Sequence, residues 1–334
     1  MKKMILSMVA LIAAAMSYAQ STLVATLSHG DEVSMFYGAN ALMNTCDAAV
    51  SGDVINLSGG TFNGGTITKA ITIRGTGIDV AFPTSITGNS KIDISESDTC
   101  SLSMEGIRFV WGNLTITGKF EKAYFLKCHF KQIFWQTTST NRGNYKICNC
   151  KILAFSHSNN SKINFINSYV ESYNCNSSND SEALFFNCLM NGIYSPLKRA
   201  SLINCILNTN SYHSLHYRTK LDSSCKAMNC LSVNNDPDFF GNLYSAAVNC
   251  SCIDDYSKVF KTYNGTDSDS ETFELTDEAK TTYLGTDGTE IGLYGGDLPF
   301  NTTPSYPQIT KMNVANKTTA DGKLSVEIEV SAAE

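Results

Sequence analysis

Short apolar runs that recur at nearly regular intervals dominate the middle third of the chain. Each unit is an apolar run, then an asparagine that a cysteine usually follows, and then another apolar pair. Counting the residue after that asparagine, or after the equivalent Lys127, the units fall at 128, 150, 168, 188, 205, 230 and 250. The steps between them are 22, 18, 20, 17, 25 and 20 residues. Such a period indicates a solenoid, in which each coil buries its apolar face against its neighbours.

The repeated segments are typical of β-strands. Residues 183–190 and 200–207 are rich in apolar, β-branched and aromatic side chains, and clusters of Asn, Ser and Gly separate such runs. A unit of this length holds about three strands, and coiling sets each strand beside its copy in the next coil, about 4.8 Å away. Asparagine suits the bend because it tolerates a left-handed backbone. We therefore predict an all-β chain built on a single right-handed parallel β-helix solenoid.

Different patterns flank the repeats. Residues 1–19 join two lysines to an apolar stretch and a small-x-small end, which predicts a secretory signal peptide. Residues 20–52 are the predicted N-terminal cap, where the apolar spacing over 40–50 favours a capping helix. The parallel β-helix and the part that closes it are expected over 53–298, and residues 299–334 are interpreted as a linker and a C-terminal β-hairpin.

The predicted signal peptide and the composition of the rest of the chain together predict where the protein resides. After the leader, no stretch approaches the roughly 20 apolar residues that a membrane span needs. We therefore predict an exported protein without a transmembrane segment, located in the periplasm, at the cell surface or outside the cell. The oligomeric state has no signature in the sequence.

Both ends of the predicted solenoid resemble those of secreted bacterial proteins of the pectate-lyase-like superfamily. An amphipathic helix ending in Gly52-Asp53, followed by short strands and Gly turns, resembles their N-terminal cap. The run Gly-Thr-Asp-Gly-Thr-Glu-Ile-Gly-Leu-Tyr-Gly-Gly at 285–296 resembles the segment that closes many of them. The resemblance covers about residues 24–300 and implies the right-handed β-helix fold. Members include lyases, hydrolases and adhesins, so the fold alone selects no activity.

Twelve cysteines in a chain with a predicted leader first suggest a disulfide framework. Five of them, however, occupy the repeats at 150, 188, 205, 230 and 250. Stacked identical residues act mainly as small buried hydrophobes, and parallel Cβ vectors give poor disulfide geometry. We predict mainly thiols there, and the better disulfide candidates are Cys148, Cys175, Cys225 and Cys252. The spacings 148/150 and 250/252 lack the two-residue interval of zinc sites, so no metal or other cofactor is predicted.

Charge is divided unevenly along the chain. The formal net charge of −6 separates into −2 over residues 1–122, +7 over 123–226 and −11 over 227–334. Residues 123–170 contain no Asp or Glu. The bases in that range are Lys127, Lys131, Arg142, Lys146, Lys151 and Lys162. On coils about 5 Å apart they predict a cationic belt that attracts polyanions, and the alternative is an ordinary solvated surface.

Aromatic residues recur at similar offsets from the asparagine of successive repeats. They are Trp135, His157, Tyr173, Tyr194 and Tyr212. An outward column would pack against sugar rings, whereas an inward column would belong to the core. The longest step, from 205 to 230, contains a further cluster, and extra residues in a solenoid emerge as a loop, often on the binding face. That cluster is His213, His216, Tyr217, Arg218 and Lys220, which completes the candidate glycan-binding set.

The basic middle of the chain offers no adjacent acidic pair of the kind that glycoside hydrolases use. We therefore predict a non-catalytic protein that binds acidic polysaccharide or acts as a surface adhesin, with no catalytic residue assigned and no nucleic-acid partner. The alternative is a polysaccharide lyase or glycoside hydrolase acting on an acidic glycan. As a lyase it would use Tyr217 or His216 as the base and Arg218 to neutralise a uronate.

Overall fold

The computed structural model confirms a parallel β-solenoid. Each complete coil contributes one strand to each of three sheets, which we call sheets A, B and C in the order in which the chain enters them. The residues that the structure describes are 23–95, 101–118, 122–136, 144–158, 161–175, 182–191, 197, 199–208, 221–233, 238–241, 246–263, 271–314, 317, 319, 321–323 and 325–331. The predicted signal peptide lies outside them and stays a prediction.

In the described residues sheet A has 12 strands, of which the first three in the chain pair antiparallel with one another, and every later pairing is parallel. Its strands alternate inward apolar residues with outward polar ones, so that Ala123 and Phe125 are buried whereas Tyr124 is partly exposed. The strands are β1 (Val24–His29), β2 (Glu32–Tyr37), β3 (Val54–Leu57), β6 (Thr72–Arg74), β9 (Ser101–Glu105), β12 (Lys122–Leu126), β15 (Asn144–Cys148), β18 (Lys162–Ile166), β21 (Glu182–Phe186), β23 (Ala200–Ile203), β25 (Lys226–Met228) and β27 (Ala247–Val248).

Sheet B has ten strands and follows sheet A in every coil. They are β4 (Gly60–Asn63), β7 (Thr84–Thr87), β10 (Ile107–Trp111), β13 (His129–Phe130), β16 (Lys151–Ile152), β19 (Tyr169–Val170), β22 (Leu189–Met190), β24 (Ile206–Asn208), β26 (Leu231–Val233) and β28 (Ser251–Ile253). Sheet C has six strands in the described residues. They are β5 (Thr66–Ile67), β8 (Ser90–Ile94), β11 (Leu114–Gly118), β14 (Ile133–Trp135), β17 (Phe155–His157) and β20 (Tyr173–Cys175).

The bend from sheet A to sheet B is where the repeated asparagines lie. Lys127 and the asparagines at 149, 167, 187, 204, 229 and 249 all have φ between 43° and 55°, the left-handed region that the sequence predicted. We call these seven residues the asparagine ladder. The next residue of each turn points inward, and its thiol or hydroxyl donates to the carbonyl two residues earlier. Cys150 Sγ lies 3.2 Å from the Cys148 carbonyl oxygen, and Ser168 Oγ lies 2.9 Å from that of Ile166.

The cysteines of these turns are thiols, and all of them are buried except the half-buried Cys250. None of the ten cysteines whose side chains the structure describes forms a disulfide bond. The expectation that Cys148, Cys225 and Cys252 form disulfides is therefore wrong. Cys148 points outward from sheet A, in register with Leu126 and Ile166 rather than with another cysteine. Cys225 Sγ instead donates to the Leu197 carbonyl at 2.9 Å. The side chain of Cys175 lies outside the described residues.

The predicted capping helix is present as α1 (Ala41–Ala48). It packs Leu42 and Cys46 into the end of the core. Lys69 Nζ donates to three carbonyls around the C-terminal end of this helix, those of Cys46, Asp47 and Ala49. A cation at this end offsets the partial negative charge of the unpaired carbonyls.

After the last coil, the chain turns back along the outside of the solenoid. The described part of this return segment, residues 256–263 and 271–306, contains a 3₁₀-helix (Tyr256–Lys258) and α2 (Asp277–Thr282). It follows the asparagine ladder towards the N-terminal end, and ladder side chains donate to its backbone. Asn229 bonds the Leu284 carbonyl at 3.2 Å and Asn149 that of Pro299 at 3.4 Å.

The portion of the return segment after Pro299, which the sequence predicts as a linker, contacts the solenoid. Lys127 Nζ donates to the Thr303 carbonyl, and the Glu105 carboxylate accepts from both the backbone N and the hydroxyl of Ser305, each at 2.6 Å. The predicted hairpin follows as β29 (Gln308–Val314) and β30 (Val326–Ser331), paired antiparallel. Within the described residues, the structure contains no helix with the length and apolar character that crossing a membrane requires.

Candidate functional site

From β10 onwards, the residue that follows the inward side chain at each bend lies near the start of a sheet B strand and faces away from the core. In consecutive coils Arg108, His129, Lys151 and Tyr169 stand in register, one coil apart. The same register continues through apolar residues to Leu189 and beyond. Those further residues are Ile206 and Leu231. The outer face of sheet B therefore changes from polar and basic to apolar along the rod.

The apolar half of this face is covered by the return segment. Tyr169, Leu189, Ile206 and Leu231 form a second buried cluster with residues of that segment. Those residues include Val259, Phe260, Tyr263, Phe273, Leu275, Ala279, Ile291 and Leu293. A buried polar network reinforces the contact, because Asn208 Nδ2 donates to the Tyr263 hydroxyl at 2.8 Å and the Tyr256 hydroxyl donates to Asn208 Oδ1 at 2.9 Å.

Beside the basic half of the face lies an exposed pair formed by a tryptophan and a lysine. Trp111, at the end of β10, is 68% exposed, and Lys131 Nζ lies 4.8 Å from the centroid of its ring. This is the geometry of a cation–π contact, which holds the ammonium beside the indole. We call Arg108, Trp111, His129, Lys131 and Lys151 the open basic face.

A groove of about 920 Å³ lies where the open basic face meets the return segment. Lys151 and Tyr169 line it from the solenoid side, and Phe273, Tyr294 and Phe300 line it from the return segment. Tyr169 stacks on Phe273 with ring centroids 5.1 Å apart. The groove thus combines aromatic walls with a cation at the junction to the open basic face, which is the usual make-up of a small-molecule or glycan site.

Tyr294 is held as a neutral phenol in the wall of the groove. Its hydroxyl donates to the Thr272 carbonyl at 2.7 Å. Burial and the nearby carboxylates of Glu274, Glu290 and Glu271 raise the pKa of Tyr294 to about 12. This residue can therefore orient a ligand as a hydrogen-bonding group, but it is poorly suited to act as a base near neutral pH.

The remaining bases of the predicted belt point elsewhere. Lys146 and Lys162 are on the outer side of sheet A, where Lys146 Nζ lies 5.8 Å from the centre of the Tyr124 ring. Lys127 is turned into the contact with Thr303, and Arg142 lies outside the described residues. The described bases of the belt therefore lie on the outer sides of sheets A and B and at the bend between them, and those that line the groove are Lys127 and Lys151.

Three of the predicted glycan-binding residues belong to the core. Trp135 and His157 are 0% exposed and Tyr173 is 1% exposed, so the outward alternative is wrong for them. Strand periodicity explains this, because alternate residues of β14 and β17 point inward, and Trp135 and His157 share a register position. Tyr173 is in register with Phe155 instead, so the three do not form one column.

His157 takes part in a closed polar cluster within the core. Its Nδ1 lies 3.0 Å from the Tyr173 hydroxyl, and its Nε2 lies 2.6 Å from Ser161 Oγ. Burial lowers the pKa of His157 to about 4, so the ring is neutral at physiological pH. The cluster satisfies a buried imidazole, and Ser161 itself is buried, so the structure favours a structural role.

The other predicted site residues lie outside the described residues. They are Tyr194, Tyr212, His213, His216, Tyr217, Arg218 and Lys220. Among the residues that are described, no three His, Cys, Asp or Glu side chains come together in a way that could hold a metal ion.

The sequence analysis missed Arg108, Trp111 and Tyr294. A signal for the open face was present, since the residues after the bend cysteines at 128, 150, 188, 205 and 230 are His129, Lys151, Leu189, Ile206 and Leu231 in turn. The change from basic to apolar in that series marks where the open face ends and the covered face begins. No signal of this kind predicted the groove, because its second wall comes from a segment more than 100 residues away in sequence.

The chain was also compared with known proteins. No protein-family model, no curated protein and no solved structure matches it.

Proposed function

We propose that this chain is an exported, right-handed member of the pectate-lyase-like superfamily that binds acidic polysaccharide without cleaving it. The observation that carries the binding proposal is the open basic face, where Arg108, His129 and Lys151 stand one coil apart on a rigid sheet. Regular spacing suits a ligand that is itself a repeating polymer. Cationic side chains supply attraction for carboxylates, and the exposed Trp111 supplies apolar contact area for a sugar ring.

Because the scaffold is rigid and regular, the protein loses little conformational entropy when a ligand binds. The backbone of the open face is held by parallel pairing on both sides, so few rotatable bonds besides those of the long side chains must be fixed on association. A linear glycan lying across the coils would contact several bases at once. Once one sugar unit is bound, the neighbouring units are at high effective concentration near the next bases, so several weak contacts give a higher overall affinity.

The alternative activity is that of a lyase or glycoside hydrolase. Its predicted base and neutralising residues, at 216–218, lie outside the described residues. Within those residues, Tyr294 lines the groove, but its pKa is raised to about 12 and its hydroxyl is engaged with Thr272. The described groove therefore favours binding over proton abstraction.

One experiment tests both parts of the proposal. The purified chain would be titrated with fluorescent uronate-containing oligosaccharides at 0.1 M and 1 M salt, between which the Debye length falls from about 10 Å to 3 Å. We expect saturable binding that weakens steeply with salt, while the oligosaccharides keep their length during prolonged incubation. Binding that is indifferent to salt would contradict the cationic face. Shortened oligosaccharides with unsaturated ends would show that the protein is a lyase.

A further inference from the structure

The groove and the open basic face differ in charge although they adjoin each other. Among the described residues, the carboxylates that line the groove are those of Asp79, Glu271 and Asp297. Of its two lysines, Lys127 is engaged with the Thr303 carbonyl, and Lys151 is at the junction with the open basic face. Among the described lining residues, three carboxylates thus outnumber two ammonium groups, so a carboxylate-bearing sugar inside the groove would meet net negative charge.

The walls of the groove favour a neutral sugar with an apolar group. Tyr169 stacks on Phe273, and Tyr294 meets Phe300 edge to face with centroids 6.4 Å apart. Ring faces provide contact area for the C–H faces and methyl groups of a sugar, while carboxylates accept hydrogen bonds from hydroxyl and amide N–H groups. An N-acetylated sugar carries all of these groups and no charge.

We propose that the ligand is a polysaccharide in which uronate units alternate with neutral N-acetylated sugars. The uronates contact the open basic face at Arg108 and Lys151, and a neutral unit occupies the groove. This inference rests on the proposed function, since it assigns a ligand class to the same site. Discrimination against polymers made only of uronates comes mainly from repulsion, because such a polymer must place a charged unit beside Asp79 and Asp297.

The test compares two oligosaccharides with the same number of units at 0.1 M salt. One is an oligomer of hyaluronan, which alternates glucuronate with N-acetylglucosamine, and the other is an oligogalacturonate, in which every unit is charged. Attraction to the basic face alone favours the oligogalacturonate, because it carries more carboxylates. The proposal predicts the opposite order, with the hyaluronan oligomer bound about tenfold more tightly or better.

A pair of charge-neutral variants makes the test specific. Asp79→Asn combined with Asp297→Asn removes two charges from the groove, and we expect it to raise affinity for the oligogalacturonate about tenfold while changing hyaluronan binding little. The control is Asp254→Asn combined with Asp277→Asn, which makes the same change in net charge at residues that do not line the groove. The groove variant is expected to bind more tightly, and misfolding, which weakens binding, cannot produce that result.

The outcomes separate this inference from the function on which it rests. Salt-sensitive binding of both oligomers with equal affinity, or with preference for the oligogalacturonate, would overturn the alternating ligand and leave polyanion binding intact. Equal gains in the groove and control variants would overturn the role of the groove carboxylates. Failure to bind either oligomer would overturn the proposed function, and the inference with it.

Discussion

Asn167 extends from its turn to the return segment and donates from Nδ2 to the carbonyl of Leu293 at 2.9 Å. The same nitrogen lies 2.8 Å from the carbonyl oxygen of Gly295, and the side chain is almost completely buried. Asparagine therefore has two roles in this turn. Its backbone adopts the left-handed conformation that the bend needs, and its side chain attaches the return segment that forms one wall of the groove.

Replacing Asn167 by glycine separates those two roles. Glycine keeps the left-handed backbone but leaves the buried carbonyls of Leu293 and Gly295 without the donor from Asn167. We expect Asn167→Gly to lower the free energy of unfolding by about 1–3 kcal/mol more than Asn249→Gly. Asn249 is the control because its backbone is also left-handed, with φ of 52°, whereas its side chain is exposed. Equal losses in urea-induced unfolding would mean that the hydrogen bonds to the return segment contribute nothing.

Two glycines of the return segment test how closely it packs on the ladder. Gly288 and Gly296 have φ of 81° and 75°, so alanine at either position strains the backbone to a similar degree. A Cβ at Gly296 would lie 2.3 Å from Asn187 Nδ2, whereas a Cβ at Gly288 has nothing within 4 Å. We expect Gly296→Ala to cost about 1–3 kcal/mol more than Gly288→Ala in thermal or urea unfolding. Indistinguishable stabilities would show that the segment moves away at little cost.

The repeat pattern predicted most of the solenoid because each coil meets the same steric demands. An asparagine at the bend, an inward cysteine and alternating residues on each side recur in most units, so the sequence carries the signal several times over. The shared demands of the turn also explain why Ser168 can replace a cysteine. Its hydroxyl donates to the Ile166 carbonyl as Cys150 Sγ donates to that of Cys148.

The candidate site was less predictable because it depends on which side of a strand faces out and on a contact between distant segments. Counting offsets from the asparagine selected Trp135 and His157, which point into the core, since a shift of one residue reverses the side of a strand. The return segment has no repeat, and nothing in its sequence indicates that Thr303 meets Lys127 or that Ser305 meets Glu105. Those contacts arise only when the segment runs back along the ladder.

The buried thiols should resist alkylation while the chain is folded. Burial raises the pKa of Cys150, Cys205 and Cys230 well above that of an ordinary thiol, which disfavours the reactive thiolate. We expect mass spectrometry after iodoacetamide treatment to find these three modified only in denaturant. Modification of all three in native buffer, or disulfides between neighbouring turns, would contradict the packed ladder.

The same ladder predicts how Cys150 responds to substitution. We expect Cys150→Ser to be tolerated, with a change in unfolding free energy of about 1 kcal/mol or less, because serine retains the donor to the Cys148 carbonyl. Cys150→Val keeps an apolar side chain but removes that donor, and it should be the more destabilising of the two in urea unfolding. The reverse order would show that apolar packing, and not the hydrogen bond, determines this position.

Acid should destabilise the chain through His157. Its pKa is about 4 in the folded protein and 6.5 for the unperturbed group, so below pH 6.5 the unfolded chain binds a proton that the folded chain excludes. Stability should therefore fall as the pH falls, by about 2 kcal/mol between pH 6.5 and pH 5 from this residue. His157→Gln should remove that part of the pH dependence of urea unfolding. An unchanged pH profile in the variant would show that His157 is not the group responsible.

The most direct test of glycan binding by the open basic face compares two double variants with the same loss of charge. Arg108→Ala with Lys151→Ala removes two cations from the open basic face, and Lys122→Ala with Lys162→Ala removes two from the outer side of sheet A. Both would be checked for unaltered circular dichroism and then titrated with a hyaluronan oligomer at 0.1 M salt. We predict that the first variant binds at least about tenfold more weakly than the native chain, whereas the second changes affinity by less than about threefold. Equal losses in the two variants would contradict a defined binding face.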